Sequence, residues 1–313
     1  MKHLKIILAL AVVLTAVGAA QGVCYGLKSR DYYGTNGQYS GAPTRLFRFY
    51  EDGSGVQDLG EIKVAGGSID ADALAWSWAH GLLAFQLTEA NDQQGAARNS
   101  RLISIDRHTG ATSLIGGWLA GRDIRGATCD LQDRLWVVDA RSSQVLQIDP
   151  STGLIIGSPV NLTLGGSPHT LTYSSQDLAV RTDGTFYLID FDKSPDPDVT
   201  PHKAAIYTLN VATGALTLVH TDDNQQLVGA AFSLTAEDDD LFAFEVNGSD
   251  DIFRYDVDAS FNRTVLYGNI VTTFNAGRGD LAGLIVPEPV TMLGAILGLA
   301  GLGAYIRRRR SAT

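Results

Sequence analysis

A repeat constrains the fold of this chain more than any other feature. RLISIDRHTGATSLIG begins at Arg101, QVLQIDPSTGLIIGS at Gln144, AIYTLNVATGALTLV at Ala205 and DIFRYDVDASFNRTVLYG at Asp251, with a weaker copy, RLFRFYEDGSGVQDLG, at Arg45. Each copy is an alternating apolar run, a tight turn and a second alternating run, which predicts a β-hairpin. Thr109-Gly110, Thr152-Gly153 and Thr213-Gly214 place a glycine where the turn needs positive φ. A second hairpin pattern precedes the stronger copies: ALAWSWAHGLLAFQL from Ala73, GATCDLQDRLWVVD from Gly126, DLAVRTDGTFYLID from Asp177 and GAAFSLTAEDDDLFAFEV from Gly229. The unit is therefore four strands, repeated at roughly 45–60 residues, the pattern of a propeller blade.

One such blade cannot bury both of its faces, so neighbours packed around an axis must supply the core. Four blades fall at about 70–118, 123–165, 174–222 and 226–270. One strand is left near the C-terminus, Asp280–Val286, and three near the N-terminus, around Val23–Lys28, Arg45–Tyr50 and Val56–Val64. Together they predict a fifth blade stitched from both ends, which removes the open sheet edge. The expectation is an all-β, five-bladed propeller over residues 21–286. A six- or seven-bladed propeller and a β-sandwich are the alternatives.

The two ends read as addresses. Lys2 and Lys5 precede an uncharged run, Ile6–Val17, and the small residues Gly18, Ala19 and Ala20. This is the pattern of a secretory signal peptide, residues 1–20, cleaved after Ala20. At the other end Pro287-Glu288-Pro289 leads into an uncharged glycine-rich run, 290–306, and then Arg307, Arg308, Arg309 and Arg310. That run predicts one transmembrane helix at the short end of what spans a bilayer, with the arginines held on the cytoplasmic side. Gly294 and Gly298 form a GxxxG pair, readable as a helix-contact motif or as a weakly apolar, temporary span.

Residues 287–313 resemble the PEP-CTERM sorting signal of Gram-negative bacteria. The resemblance covers the tail alone. It implies export, transient anchoring in the inner membrane, processing by an exosortase-type enzyme, and a final place at the cell surface or in an extracellular matrix rich in exopolysaccharide, as in biofilm.

Of 24 basic residues, Lys2, Lys5 and the four terminal arginines lie in 1–20 and 290–313, where no acidic residue occurs. Residues 21–289 thus carry 18 basic and 34 acidic residues, a net charge of −16. Such a surface disfavours nucleic acid as a partner. Cys24 and Cys129 are too few for a disulfide scaffold. Export permits a bond between them, and spacing leaves the pairing open.

Long links between second and third strands, 29–44, 89–100 and 191–203, share one face of a propeller with the connections that begin each blade, which marks that face as functional. Aligning the first strands by spacing puts Asp70, Asp123, Ser174, Gln226 and Asp280 at one mouth of the axis. Asp70, Asp123 and Asp280 are candidate ligands for Ca²⁺, a hard ion that takes oxygen. Ser174 and Gln226 are candidate binding residues. The alternative is five solvated turn residues.

The histidines lack zinc spacing, no GxSxG surrounds a serine, and Arg278-Gly279-Asp280 is an isolated Arg-Gly-Asp tripeptide. With no catalytic constellation legible, the leading expectation is a non-enzymatic binding or structural role in the envelope or matrix. A metal-dependent propeller hydrolase or lactonase is the alternative.

Overall fold

The computed structural model describes residues 23–30, 42–50, 55–88, 98–171, 176–192, 203–223, 227–232, 239–245, 251–268 and 278–283. The expected signal peptide, the whole 287–313 tail, Ser174 and Gln226 lie outside these residues. No helix long and apolar enough to cross a membrane occurs among the described residues.

The described elements are strands. In chain order they are β1 (Val23–Arg30), β2 (Ala42–Tyr50), β3 (Val56–Glu61), β4 (Lys63–Val64), β5 (Gly67–Ser68), β6 (Ala71–Ser77), β7 (Gly81–Leu87) and β8 (Ser100–Ile105). Then come β9 (Thr112–Leu114), β10 (Ile124–Cys129), β11 (Leu135–Asp139), β12 (Gln144–Ile148), β13 (Ile155–Asn161), β14 (Thr163–Leu164), β15 (Ser167–Pro168) and β16 (Asp177–Val180). The last are β17 (Phe186–Asp192), β18 (Lys203–Asn210), β19 (Ala215–Asp223), β20 (Leu227–Phe232), β21 (Leu241–Glu245), β22 (Ile252–Asp256), β23 (Asn262–Tyr267) and β24 (Arg278–Gly283).

Strands β6–β9, β10–β13 and β20–β23 each form a four-stranded sheet in chain order. Strands β16–β19 do the same, extended at the β19 edge by the β14–β15 hairpin through a parallel β14–β19 pairing. A further sheet has the order β24-β1-β2-β3, with Cys24 opposite Gly283 and Leu27 opposite Asp280. The leading strand of each sheet touches the next in cyclic order, β6 to β10, β16, β20, β24 and back to β6. This is a propeller-like, all-β arrangement.

The core follows from that geometry. Inner strands are buried on both faces, so β6 and β10 are buried along almost their whole length, while the outer strand β13 is largely exposed. Apolar clusters fill the gaps between successive sheets. Leu46, Leu74 and Ile103 sit in one, Leu83, Val137 and Leu146 in the next, and Val138, Leu178 and Leu209 in a third. Ile189, Leu227 and Tyr255 form a fourth, and Phe49, Phe242 and Leu281 join the β20–β23 sheet to the β24–β1 sheet. Phe49 and Phe242 meet edge-to-face, 5.7 Å between centroids, a favoured aromatic geometry.

The repeated turns are physically the same turn. Oδ1 of Asp106, Asp149 and Asn210 accepts the N–H two residues on, from His108, Ser151 and Ala212 at 2.8, 2.9 and 3.0 Å. Their carbonyls accept the N–H of Gly110, Gly153 and Gly214, each at 2.8 Å. Gly214 also seats one sheet on its neighbour: with φ at +73°, a Cβ there would stand 2.0 Å from the Asn161 carbonyl oxygen.

Hydroxyls at or just before the third strands reach to the next sheet. Ser100 Oγ accepts the Ile124 N–H at 3.0 Å and donates to the Arg122 carbonyl at 3.0 Å. Ser143 Oγ accepts the Leu171 N–H at 2.9 Å, and Thr44 Oγ1 the Ala71 N–H at 3.0 Å.

Two elements differ from the expectation. The connections after β3 and β13 are not plain loops. They fold into the small hairpins β4–β5 and β14–β15, each turning through a positive-φ pair, Ala65-Gly66 and Gly165-Gly166, with Ile62 and Leu162 buried beneath.

Candidate functional site at the mouth of the inner strands

The leading ends of the inner strands gather acids. The residue of β11, β17 or β21 at this level is Asp139 opposite Ile124, Asp190 beside Gln176, or Glu245 opposite Leu227. All three carboxylates are buried, at 0%, 4% and 2% exposure. Burial of an ionised carboxylate requires partners, and these have them. Asp139 Oδ1 accepts the N–H of Asp123 and of Arg141 at 3.1 Å each, and Oδ2 takes Arg122 Nη1 at 2.8 Å and the Ser142 hydroxyl at 2.6 Å.

Arg125 bridges two sheets at the same level. It sits in a bulge of β10, where the register shifts between Ile124 and Gly126, and a bulge re-aims a side chain. Its Nη1 donates to Asp72 Oδ2 at 2.9 Å, and its Nε stands 2.8 Å from Asp123 Oδ1. The second contact is an ion pair, and Arg125 Nη2 adds a hydrogen bond to Asp123 Oδ2 at 3.4 Å. Arg125, Asp72 and Asp123 are 3%, 7% and 6% exposed.

Below this level the axis closes. Asp177 begins β16 fully buried. Its Oδ1 accepts the Leu178 N–H at 2.6 Å, and its Oδ2 accepts the Ala230 N–H by a short bond and faces the Leu281 N–H at 3.5 Å. One carboxylate thus ties β16, β20 and β24. Small residues stand at the matching places of the other inner strands, Ala73, Gly126, Gly229 and Gly283. A Cβ at Gly126 would stand 2.6 Å from Asp177 Cα. Beyond it lies a small axial cavity lined by the side chains of Leu74, Trp76, Cys129, Leu178, Phe232 and Leu281, with Thr128 among them. Cys129 is a free, buried thiol whose pKa burial pushes far up, with Asp133 and Asp130 adding to the effect. It is therefore a packing residue and not a nucleophile.

Among the described residues, one histidine reaches the mouth. His169 follows the β14–β15 hairpin, its N–H bonded to the Leu162 carbonyl at 2.9 Å. Its Nε2 lies 3.5 Å from Asp190 Oδ2, and Gln176 Nε2 donates to Asp190 Oδ1 at 2.8 Å. The Tyr207 ring holds the imidazole from the side, 5.4 Å between centroids. His80, His108 and His220 lie elsewhere, and His202 is outside the described residues.

Of the residues singled out from spacing, Asp123 lies at the mouth, paired with Arg125. Asp70 is half-buried just before β6, where its carbonyl accepts the Leu87 N–H at 2.9 Å. Asp280 is placed by its backbone in β24. Ser174, Gln226, Pro287, Glu288, Pro289 and Arg307 to Arg310 lie outside the described residues. No group of three or more His, Cys, Asp or Glu suited to a metal ion occurs among the described residues. Arg278-Gly279-Asp280 is strand backbone paired with β1.

No family model matches the chain, and no curated protein matches it. Solved structures resemble it at the level of fold. A gluconolactonase from Xanthomonas campestris, XC5397, is 20% identical over 63% of this chain, with a TM-score of 0.44, and the match spans 62% of the gluconolactonase. The periplasmic gluconolactonase PpgL of Pseudomonas aeruginosa is 12% identical over 80% of this chain and 84% of its own, with a TM-score of 0.44. A chain of the nidogen/laminin complex is 8% identical over 84% of this chain and 99% of its own, with a TM-score of 0.47. At such identities and TM-scores these likenesses carry no argument about activity.

Proposed function

We propose that this chain is an exported five-bladed propeller, closed by the β24-β1-β2-β3 sheet, whose mouth is a hydrolytic site of lactonase or esterase type. The observation that carries this reading is His169 beside the buried Asp190 carboxylate. Gln176 fixes Asp190, and His169 Nε2 stands 3.5 Å from that carboxylate without a hydrogen bond; a substrate that closes this gap would seat the Nε2 proton on Asp190 and leave Nδ1 as the base that takes a proton from water. The hydroxide equivalent so formed attacks the ester carbonyl, and the imidazolium, stabilised by Asp190, returns the proton to the leaving alkoxide. No metal enters this scheme. Asp139 and Asp123, each with its arginine, keep the mouth polar.

The test is turnover of aliphatic lactones and p-nitrophenyl acetate by protein purified from its native cells. His169→Gln and Asp190→Asn should each lower kcat by about 10²-fold or more, the usual contribution of acid–base catalysis. Absence of turnover, or turnover untouched by both changes, would discard the hydrolase.

A second reading is a non-enzymatic envelope or matrix protein that holds exopolysaccharide. The Asp72–Arg125–Asp123 cluster favours it, because charges so fully paired serve shape better than chemistry. Retention on extracted exopolysaccharide with no turnover would select this reading.

Either activity would be delivered by the same addresses. Residues 1–20 direct export, 290–306 anchor the chain in the inner membrane, and an exosortase-type enzyme acts at Pro287-Glu288-Pro289. The order of these elements in the sequence supports this route. Intact-mass measurement of the native protein tests it, and a mature form retaining Arg307–Arg310 would refute it.

A further inference from the structure

We infer that the face opposite the mouth rests on the bilayer while the chain is anchored, with Trp78 and Leu131 as its contact residues. This rests on the reading of 290–306 as a membrane span. The leading strands run away from the mouth, so their trailing ends and the turns after them form the far face. There Trp78 follows β6 and Leu131 follows β10, and they are 41% and 40% exposed. The tail leaves from the same side. β24 packs beside β6 and ends at Gly283. Its Leu281 and Ala282 line the cavity beyond Asp177 together with Trp76, Cys129 and Phe232, which stand at the trailing ends of β6, β10 and β20. Gly283 and Val290, where the uncharged run begins, are seven residues apart. Fully extended, that stretch reaches at most about 25 Å. On so short a tether the propeller stays at the membrane surface, where a weak contact suffices because the effective concentration is high.

The turn that carries Trp78 is built on its neighbour. Asp133, at φ +61°, accepts the Trp78 N–H at 2.8 Å, the Ala79 N–H at 3.1 Å and the Ser77 hydroxyl at 3.0 Å. These polar groups are bonded inside the protein, while the indole faces outward. Charges on this face are tied as well. Asp130 holds Arg134 at 2.6 Å, and Arg181 holds Asp239 and Asp258 at 2.8 Å each. Paired charges around two exposed apolar side chains suit the interfacial zone of a bilayer, where tryptophan is enriched. The net charge of −16 over 21–289 favours zwitterionic over anionic headgroups. In this pose the mouth, with His169 and Asp190, points away from the lipid.

The test uses the full chain reconstituted into phosphatidylcholine vesicles that carry bromine at the headgroup end of the acyl chains, a quencher of indole fluorescence. The tryptophans are Trp76, Trp78, Trp118 and Trp136, and the tail has none, so quenching reads the propeller alone. Quenching should occur and should fall by about half or more in Trp78→Phe. It should fall likewise in Leu131→Glu, which sets a charge against the lipid, with melting temperatures showing that both variants fold. Trp118→Phe should change nothing, because Trp118, also exposed, lies in the connection that returns to the mouth, where the Leu119 N–H bonds the Ser100 carbonyl at 2.7 Å. Flotation with the vesicles reports the anchor separately. A chain that floats without quenching, or whose quenching survives Trp78→Phe or Leu131→Glu, overturns the inference and leaves the anchor standing. A chain that does not float refutes the anchor, and the docking falls with it.

Discussion

The Tyr267 hydroxyl is seated on Gly55, 212 residues away. It accepts the Gly55 N–H at 3.0 Å and lies 2.8 Å from the Gly55 carbonyl and 2.7 Å from the Tyr50 carbonyl, within donating range of each. The outer strand β23 thereby clamps the turn between β2 and β3, and Phe49 braces the ring edge-to-face at 6.2 Å. Tyr267→Phe keeps the ring and removes the clamp. The loss should be about 1–3 kcal/mol, as for a hydrogen-bond partner withdrawn from partly buried groups, read from urea unfolding with the m-value unchanged.

Asp177 should be the least replaceable residue at the axis. Asp177→Ala strips partners from three backbone amides in the apolar centre and should cost about 3 kcal/mol or more. Asp177→Asn keeps an acceptor and should cost less. Equal melting temperatures for the two variants would contradict the role given to the carboxylate.

Arg125 predicts a signature in a double-mutant cycle. Arg125→Met leaves Asp72 and Asp123 buried without their cation and should cost about 3–5 kcal/mol. Adding Asp72→Asn and Asp123→Asn should restore much of that loss. Additive losses would show that the three do not act as a unit.

Gly214→Ala should destabilise strongly, through both the positive φ and the collision with the Asn161 carbonyl. Gly157→Ala, also at positive φ but meeting nothing within 4 Å, should cost only the backbone strain, about 1–2 kcal/mol. The difference between the two melts isolates the contact between sheets.

His220 stacks on Phe261, 5.0 Å between centroids and 12° between planes, and burial lowers its pKa, opposed by Asp222 and aided by Arg263. The fold therefore favours the neutral ring. Its contribution is complete above the ordinary histidine value of about 6.5 and is lost as pH falls through the lowered folded value. Thermal melts below about pH 6.5 should decline less steeply in His220→Phe than in the parent. Parallel profiles would exclude His220 as a source of the decline.

How much of this was legible in the sequence depends on distance along the chain. The hairpins were legible because alternation and the Asp106, Asp149 and Asn210 turns are local signals. The sheets at β6–β9, β10–β13 and β20–β23 follow from them. The β4–β5 and β14–β15 hairpins escaped because two-residue strands carry no periodicity, although the matched GG pairs at 66–67 and 165–166 were a usable sign. The mouth is harder to read than the hairpins for a definite reason. Counting back from the first strands assumes straight strands, whereas β6, β10 and β20 all carry bulges at their leading ends. Arg125 falls in one such bulge and pairs with Asp123. The better signal was the acid closing each apolar second strand, in LWVVD, FYLID and LFAFE.

The β24-β1-β2-β3 sheet also sets an order of events. Three of its strands are made first and the fourth last, so β1 keeps an unpaired edge until nearly all of the described chain has been synthesised. Contacts between residues as far apart as Cys24 and Gly283 make folding slow, because the long loop must close before the pairing rewards it. A chain that cannot finish folding before β24 arrives keeps that sheet open through nearly all of its synthesis, and the last strand acts as the latch that closes it.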